Sequence, residues 1–373
     1  MGYRYLVLGA GMGAAIADYL LRQKDTDWVT VADKDLKVIV SLGRKLDEQQ
    51  LSARCDYIAL DIENHDLHAL FKLYDVVVNA LPTRFSPMLL EVAIGVKVGF
   101  CELGGVISVT ESCLKLNRAA QDAGVSVVTD CGLQPGLGMI MARNLLRHHS
   151  DIKEIAIYVG GMPQKPRPPV NHQNMYSVEG LRHLCYDKVP ILENGEIVYK
   201  EPRTEYELIQ FNVLRKYSKI FDGSVEAFLT AGASIAPWTF GELGVRIFEK
   251  TLRWPNFKCF VDNIPEDKFE KIIMPHISIP VDKENPDFVF MRVVGKNQDG
   301  EMRGGYDLID EFDPSTGLSA MQRTTGFTAA QMARWIAQKR ILVGVNTPEF
   351  AIPNGDIGSF IYNLSHRLEI KKL

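Results

Sequence analysis

The sequence predicts an α/β protein, a doubly wound parallel sheet carrying an inserted, mostly antiparallel α+β domain. Three observations predict it. An apolar strand near the start runs through a glycine turn into a helix. Strands and helices then alternate to about residue 150, and from Ile152 the pattern becomes alternating segments joined by hairpin turns.

The first element is YRYLVLGAGMGAAIADYL, residues 3–20. Tyr5, Leu6, Val7 and Leu8 form the short apolar run of a strand buried on both faces, and Ile16, Tyr19 and Leu20 then recur at helical spacing. Between them, Gly9, Gly11 and Ala14 fill the pattern Gly-x-Gly-x-x-Gly/Ala. Gly9 suits a tight turn, Gly11 lets the backbone approach a pyrophosphate, and Ala14 is small enough for the helix to pack on the strand. Backbone N–H groups along Gly11, Met12, Gly13 and Ala14 then face the phosphates from a helix N-terminus. The second strand, WVTVAD, ends in Asp33, 19 residues after Ala14, where a Rossmann-type site carries its ribose-binding acid. A carboxylate there accepts from the ribose hydroxyls and repels a 2′-phosphate. The expectation is NAD, with NADP the alternative because Lys34 follows at once.

A third strand, YIALDIE, ends at Asp61, placed to approach the adenine. YDVVVNALP is the fourth. Asn79, Ala80, Leu81 and Pro82 close it at its carboxyl end, the edge where such sheets bind ligands. GFCELGG and VSVVTDCGL read as further strands. Asp130 and Cys131 end the last of them, beside the expected nicotinamide, and are the candidate catalytic residues. Asp130 takes a proton or orients an ammonium, or else caps the following helix; Cys131 lines the ring, or is a small buried residue. Glu102 also ends a strand, as a base or as a cap for backbone N–H groups.

The second pattern opens with IKEIAIYVGG and a proline-rich loop. It continues through EIVYKEP and FVFMRVVGK, with hairpin-type turns at Asn194-Gly195 and Asp299-Gly300. TTGFTAAQMARWIAQK predicts a helix with Phe327, Met332 and Ile336 on one side. The expected organisation is a dinucleotide-binding domain at 1–150, a second domain at 151–315, and a segment at 316–373 returning to the first.

Composition excludes several classes. The 373 residues carry a net charge of −4, which gives no reason to expect nucleic acid or an anionic membrane as partner. No apolar run reaches spanning length, and no basic, apolar leader precedes the first strand. The six cysteines are scattered, with neither C-x-x-C nor zinc-like spacing. These features predict a cytoplasmic protein with reduced thiols and no metal.

Six stretches bear a resemblance to a known family: DCGLQPG (130–136), YVGGMPQKPRPP (158–169), SVEG (177–180), VEAFLTAG (225–232), EKTLRWP (249–255) and RTTGFTAA (323–330). Together they resemble the saccharopine dehydrogenase-like family, and within it the lysine 6-dehydrogenase branch. The resemblance implies a Rossmann domain, an inserted sheet domain that closes the active site and mediates homodimerisation or higher homo-oligomerisation, and NAD(P)-linked oxidation of an amine. In the lysine-specific branch the terminal amine is oxidised and the imine hydrolysed, releasing ammonia and a semialdehyde. Arg253 and Arg323 fall on the family motifs and have the forked geometry that a substrate carboxylate needs. Tyr176 stands at the family's aromatic position, where it packs on the substrate chain or serves as a core aromatic. The family pattern Tyr-Lys-x-x-Trp-Ser is replaced here by His172, Gln173, Asn174, Met175, Tyr176 and Ser177, and the Gly-His after the Leu-Arg motif by Asn256-Phe257.

Three functions stay open on this reading. The first is an NAD-dependent dehydrogenase acting on the terminal amine of lysine or a related amino acid. The second is a reductive condensing enzyme joining an amine to a carbonyl, as saccharopine reductase and carboxynorspermidine dehydrogenase do. The third is an NAD-binding regulator without turnover.

Overall fold

A computed structural model describes residues 2–373. Six strands open the chain: β1 (Tyr3–Leu8), β2 (Thr26–Asp33), β3 (Cys55–Ala59), β4 (Val76–Asn79), β5 (Gly99–Glu102) and β6 (Ser126–Val128). Next come β7 (Glu154–Pro163), β8 (Val189–Glu193), β9 (Glu196–Lys200), β10 (Glu207–Gln210), β11 (Ser224–Leu229) and β12 (Arg246–Arg253). The last four are β13 (Asp287–Lys296), β14 (Met302–Glu311), β15 (Gly344–Asn346) and β16 (Glu369–Lys372). The chain divides into two compact units, one of Met1–Ile140 with Gln322–His366, the other of Met141–Met321 with Arg367–Leu373.

The first unit holds a parallel sheet in the order β15-β6-β5-β4-β1-β2-β3. Strand order reverses between β1 and β4, which opens a crevice at their carboxyl ends. The strands are apolar because helices cover both faces: Tyr5, Leu6, Val7, Leu8, Val76, Val77 and Val78 are fully buried. The helix Ala320–Ala337 supplies its Gln322–Ala337 portion to this unit and packs on the helix Ala10–Leu21. A Cβ at Gly326 would stand 2.7 Å from the Ala15 Cβ, so the two helices meet at small residues. Beside that contact the rings of Tyr19 and Phe327 lie 5.3 Å apart, and Tyr19 Oη donates to Gln331 Oε1 at 2.7 Å.

The second unit holds a mixed sheet in the order β10-β11-β12-β7-β13-β14-β16. Neighbours run antiparallel except β7 and β12, whose long connection through several helices permits a parallel pair. β8 and β9 form a separate hairpin whose turn residues Asn194 (φ 52°) and Gly195 (φ 84°) both take positive φ, as a type I′ turn requires. Trp254 is fully buried, its indole N–H donating to the Pro163 carbonyl at 2.8 Å. No helix among the described residues is long and apolar enough to cross a membrane.

Candidate active site

The dinucleotide crevice is built by the first turn. Gly9 has φ 94°, and a Cβ on it would stand 2.7 Å from the Ala80 carbonyl oxygen, so only glycine lets the end of β1 meet the end of β4. At Gly11 a Cβ would meet nothing within 4 Å, which leaves the open space a pyrophosphate needs. The helix also packs closely on the strand at Gly13, where a Cβ would come 2.7 Å from Val7 Cγ1. Asp33 ends β2 with Oδ2 accepting from Ala10 N at 2.8 Å and Oδ1 from Asp35 N at 2.9 Å. Each oxygen keeps a lone pair for a ribose hydroxyl. Asn79 shapes the neighbouring turn, its Oδ1 accepting from Leu81 N and its Nδ2 donating to Ser86 Oγ, both at 3.0 Å. These residues fit a dinucleotide. Asp61 lies two residues beyond the end of β3 and is exposed, and its carboxylate accepts from Asn64 Nδ2 at 2.7 Å and Glu63 N at 3.2 Å. Those bonds hold it below the usual carboxylate range.

Two carboxylates meet along the same edge of the sheet. Glu102 Oε1 accepts from Asp130 N at 2.7 Å, and Oε2 accepts from Gly104 N at 2.8 Å and Ser86 Oγ at 3.2 Å. Asp130 sits at φ 55°, and its Oδ1 accepts from Thr110 Oγ1 at 3.1 Å and Gly105 N at 3.2 Å. Burial, and then the charge of Asp130, push the Glu102 carboxyl up to about 7. One proton held near neutral pH is what this pair can offer. Cys131 follows Asp130, fully buried, with Sγ 3.6 Å from the carbonyl oxygens of both Val128 and Thr129. Burial drives its thiol well above the ordinary range, which disfavours a thiolate there.

The second unit assembles a different set. Ser177 Oγ caps the helix Val178–Tyr186 by accepting from Gly180 N at 3.1 Å, which fixes Tyr176 just ahead of it. The strap before the cap is tied down by Asn171 Nδ2 to the Pro255 carbonyl at 2.8 Å and by Gln173 Nε2 to the Asn285 carbonyl at 3.1 Å. Tyr176 Oη thereby accepts from Arg253 Nη2 at 3.0 Å, while Nη1 donates to the Leu252 carbonyl at 2.8 Å. Arg253 is 3% exposed, and its Nε has no acceptor among the described residues. The His172 Nδ1 is likewise buried without a partner among them. Burial, and then the Arg253 charge, hold this imidazole well below its ordinary range, so it is neutral. His172 and Phe257, at two of the positions that depart from the family pattern, touch edge to face at 5.3 Å. Asn256 takes φ 82°, a conformation that asparagine tolerates best after glycine, which explains how it replaces the pattern's glycine.

Arg323 lies in the first unit, half-buried on the helix Ala320–Ala337, with its guanidinium 5.3 Å from the Phe327 ring. Tyr176 and Arg253 are brought together; Arg323 belongs to the other unit. Sequence reasoning missed Glu249, although its motif was in view. β12 alternates Glu249, Thr251 and Arg253 onto one face, and a carboxylate within a buried strand was the available signal.

Family models match in succession: the saccharopine dehydrogenase NADP binding domain over residues 5–128, and the saccharopine dehydrogenase C-terminal domain over 132–367. The chain belongs to the saccharopine dehydrogenase family. This is a family of NAD(P)-dependent oxidoreductases. Among curated relatives, the mitochondrial alpha-aminoadipic semialdehyde synthase of Bos taurus is 25% identical over 202 residues, 52% of this chain and 21% of that protein. The NADP(+), L-glutamate-forming saccharopine dehydrogenase of Pyricularia oryzae is 24% identical over 177 residues, 45% of this chain and 39% of that one. The chain thus spans about a fifth of the length of the first of these and two fifths of the second. Among solved structures, the apo L-Glu-forming saccharopine dehydrogenase of Saccharomyces cerevisiae aligns over 100% of both chains with a TM-score of 0.75 at 15% identity, a likeness of fold.

Proposed function

We propose that this family member oxidises the terminal amine of L-lysine or a related amino acid, with NAD as preferred cofactor. The observation that carries the substrate class is Arg253. A buried guanidinium with an unused N–H donor calls for an anionic ligand, and its planar fork matches a carboxylate. Tyr176, bonded to the same guanidinium, holds the fork in place. Asp33 carries the preference for NAD, since its carboxylate accepts from ribose hydroxyls and repels a 2′-phosphate.

The crevice at Gly9, Gly11 and Asp33 would hold the dinucleotide, whose nicotinamide would supply a hydride acceptor for oxidation of the amine-bearing carbon. The residues at the carboxyl edge of the first sheet handle the proton. Glu102 and Asp130 do not both ionise freely side by side, and the pair serves as proton acceptor for the ammonium. Gly9, Gly11, Met12 and Gly13 shape the turn that receives the pyrophosphate, and Asn79 orders the chain from Ala80 to Pro82.

A second reading is reductive condensation of an amine with an aldehyde using NADPH, supported by the NADP binding domain model and by the NADP(+) in the name of the Pyricularia oryzae relative. One assay separates the two: absorbance at the reduced-nicotinamide band with NAD or NADP and L-lysine, ornithine or saccharopine, with ammonia followed in parallel. NADH together with ammonia from L-lysine establishes the first reading. Oxidation of NADPH that requires both an amine and an aldehyde establishes the second and overturns the first.

A further inference from the structure

We infer that Glu249 is a positioning residue of the carboxylate anchor: it sets the charge that Arg253 presents and couples carboxylate binding to uptake of a proton. The inference rests on the amino acid reading above.

Glu249 is 1% exposed and lies on the face of β12 that carries Thr251 and Arg253. Its carboxylate accepts from the Thr230 hydroxyl, from Thr251 Oγ1 at 2.9 Å and from the Gly232 N–H. The two threonine oxygens lie 2.9 Å apart, and with one proton each, both hydroxyls spend it on the carboxylate. A Cβ on Gly232 would come 2.6 Å from Oε2, so the loop after β11 closes directly on the carboxylate. The adjacent Lys250 points to the opposite face, where its Nζ reaches the Glu205 carbonyl at 2.7 Å and the Glu207 carboxylate.

Among the groups around Glu249, Arg253 supplies the charge that favours its ionisation. The turn after β11 offers Thr230, and β11 offers Phe228, paired with Thr251; β7 offers Ile157 as the register partner of Glu249. The strap offers His172 and Tyr176. Burial pushes the Tyr176 phenol up and the His172 imidazole down, so both are neutral around pH 7. Glu226, farther along β11, accepts from Asn256 N and Lys258 N and caps the next helix.

Burial opposes ionisation of Glu249 while the two hydroxyls and Arg253 favour it, and the balance brings the carboxyl up to about 7. An ionised Glu249 cancels part of the attraction between Arg253 and an incoming carboxylate; a protonated one does not. By reciprocity, a bound carboxylate raises the proton affinity of Glu249. Slightly above neutral pH the free protein has Glu249 largely ionised, and its complex takes up a proton.

The test is calorimetric. Protein loaded with NADH, which prevents turnover, is titrated with L-lysine and with cadaverine, which lacks the carboxylate. Titrations at pH 7.5 use buffers of different ionisation enthalpy, and others are run at pH 6 and 8.5. The expected result is uptake of about two thirds of a proton per L-lysine at pH 7.5, with affinity about tenfold weaker at pH 8.5 than at pH 6. Cadaverine should show neither effect. Glu249→Gln should abolish the uptake, which separates Glu249 from Glu102, the other carboxyl near 7. L-lysine binding to the unaltered protein without proton uptake overturns the inference, and that measurement needs no variant to fold. So does full uptake in Glu249→Gln. If Arg253→Ala binds L-lysine as tightly as the unaltered protein does, the anchor reading itself fails. If Arg253→Ala weakens binding while the unaltered protein takes up no proton, the role of Glu249 alone fails. Absence of L-lysine binding at every pH overturns both.

Discussion

Glu102 in the first unit and Glu249 in the second are both buried, and both carboxyls are pushed up to about 7. Their neighbours differ in kind. Glu102 is surrounded by backbone N–H groups and one hydroxyl, with a second carboxylate, Asp130, whose charge adds to the cost of burial. Glu249 is held by two hydroxyls and one N–H, and the Arg253 charge offsets part of that cost. A displaced pKa therefore does not by itself assign a role. A carboxylate pair suits holding and releasing a proton, whereas a carboxylate beside a cation suits adjusting how strongly that cation draws an anion.

Removing each neighbour should move the two groups in opposite directions. Arg253→Ala removes the offsetting cation, raises the Glu249 pKa and deletes the anchor. We expect kcat/KM for the amino acid to fall by about 100- to 1,000-fold, with cofactor affinity little changed. Steady-state kinetics showing unchanged substrate parameters would remove Arg253 from the site. Asp130→Asn instead removes the repelling charge, so the Glu102 pKa should drop. The expected loss in kcat is about 100-fold, and the acid limb of the pH–rate profile should shift to lower pH. A profile that keeps its shape and height would show that the pair holds no catalytic proton.

A smaller effect tests the first unit alone. Asp33→Ala should weaken NAD by about tenfold and narrow the discrimination against NADP, read by cofactor titration. Equal NAD affinity in the variant would sink the ribose assignment.

The smallest effect is on stability. Both carboxyls have folded-state pKa values raised above the ordinary glutamate value of 4.5, so between that pH and about 7 the folded protein holds protons that the unfolded chain has released. Stability should therefore decrease as pH rises through that window and level off above it, by on the order of 1–3 kcal/mol per group. Thermal melts at pH 5.5 and 8 check this, and Glu102→Gln and Glu249→Gln should each flatten the dependence. Identical melting at both pH values would mean that neither carboxyl is displaced as described.

Much of the first unit was legible in the sequence because its signals are local. Gly9 announces a turn that only glycine permits, and an apolar run before it announces a strand buried on both faces. Asn194-Gly195 was readable for the same reason, since both residues take the positive φ that the turn demands. Asp61 shows the limit of such reading. It stands at the end of an apolar run, but β3 stops at Ala59, and the carboxylate bonds within its own turn.

The sequence by itself thus determined the strand–turn–helix, the acid that ends β2, the alternation of strands and helices and the motifs that mark the family. Each depends on backbone preference or side-chain periodicity within one short segment. Only the tertiary structure decided which distant groups share an environment. It set Asp130 N on Glu102 across 28 residues and Tyr176 on Arg253 across 77, and it seated Glu249 between a hydroxyl of its own strand and one from the turn after β11. It also carried β15 into the first sheet and β16 into the second. The reason is physical. Burial and the charges that surround a group are sums over the whole fold, and no local pattern encodes those sums.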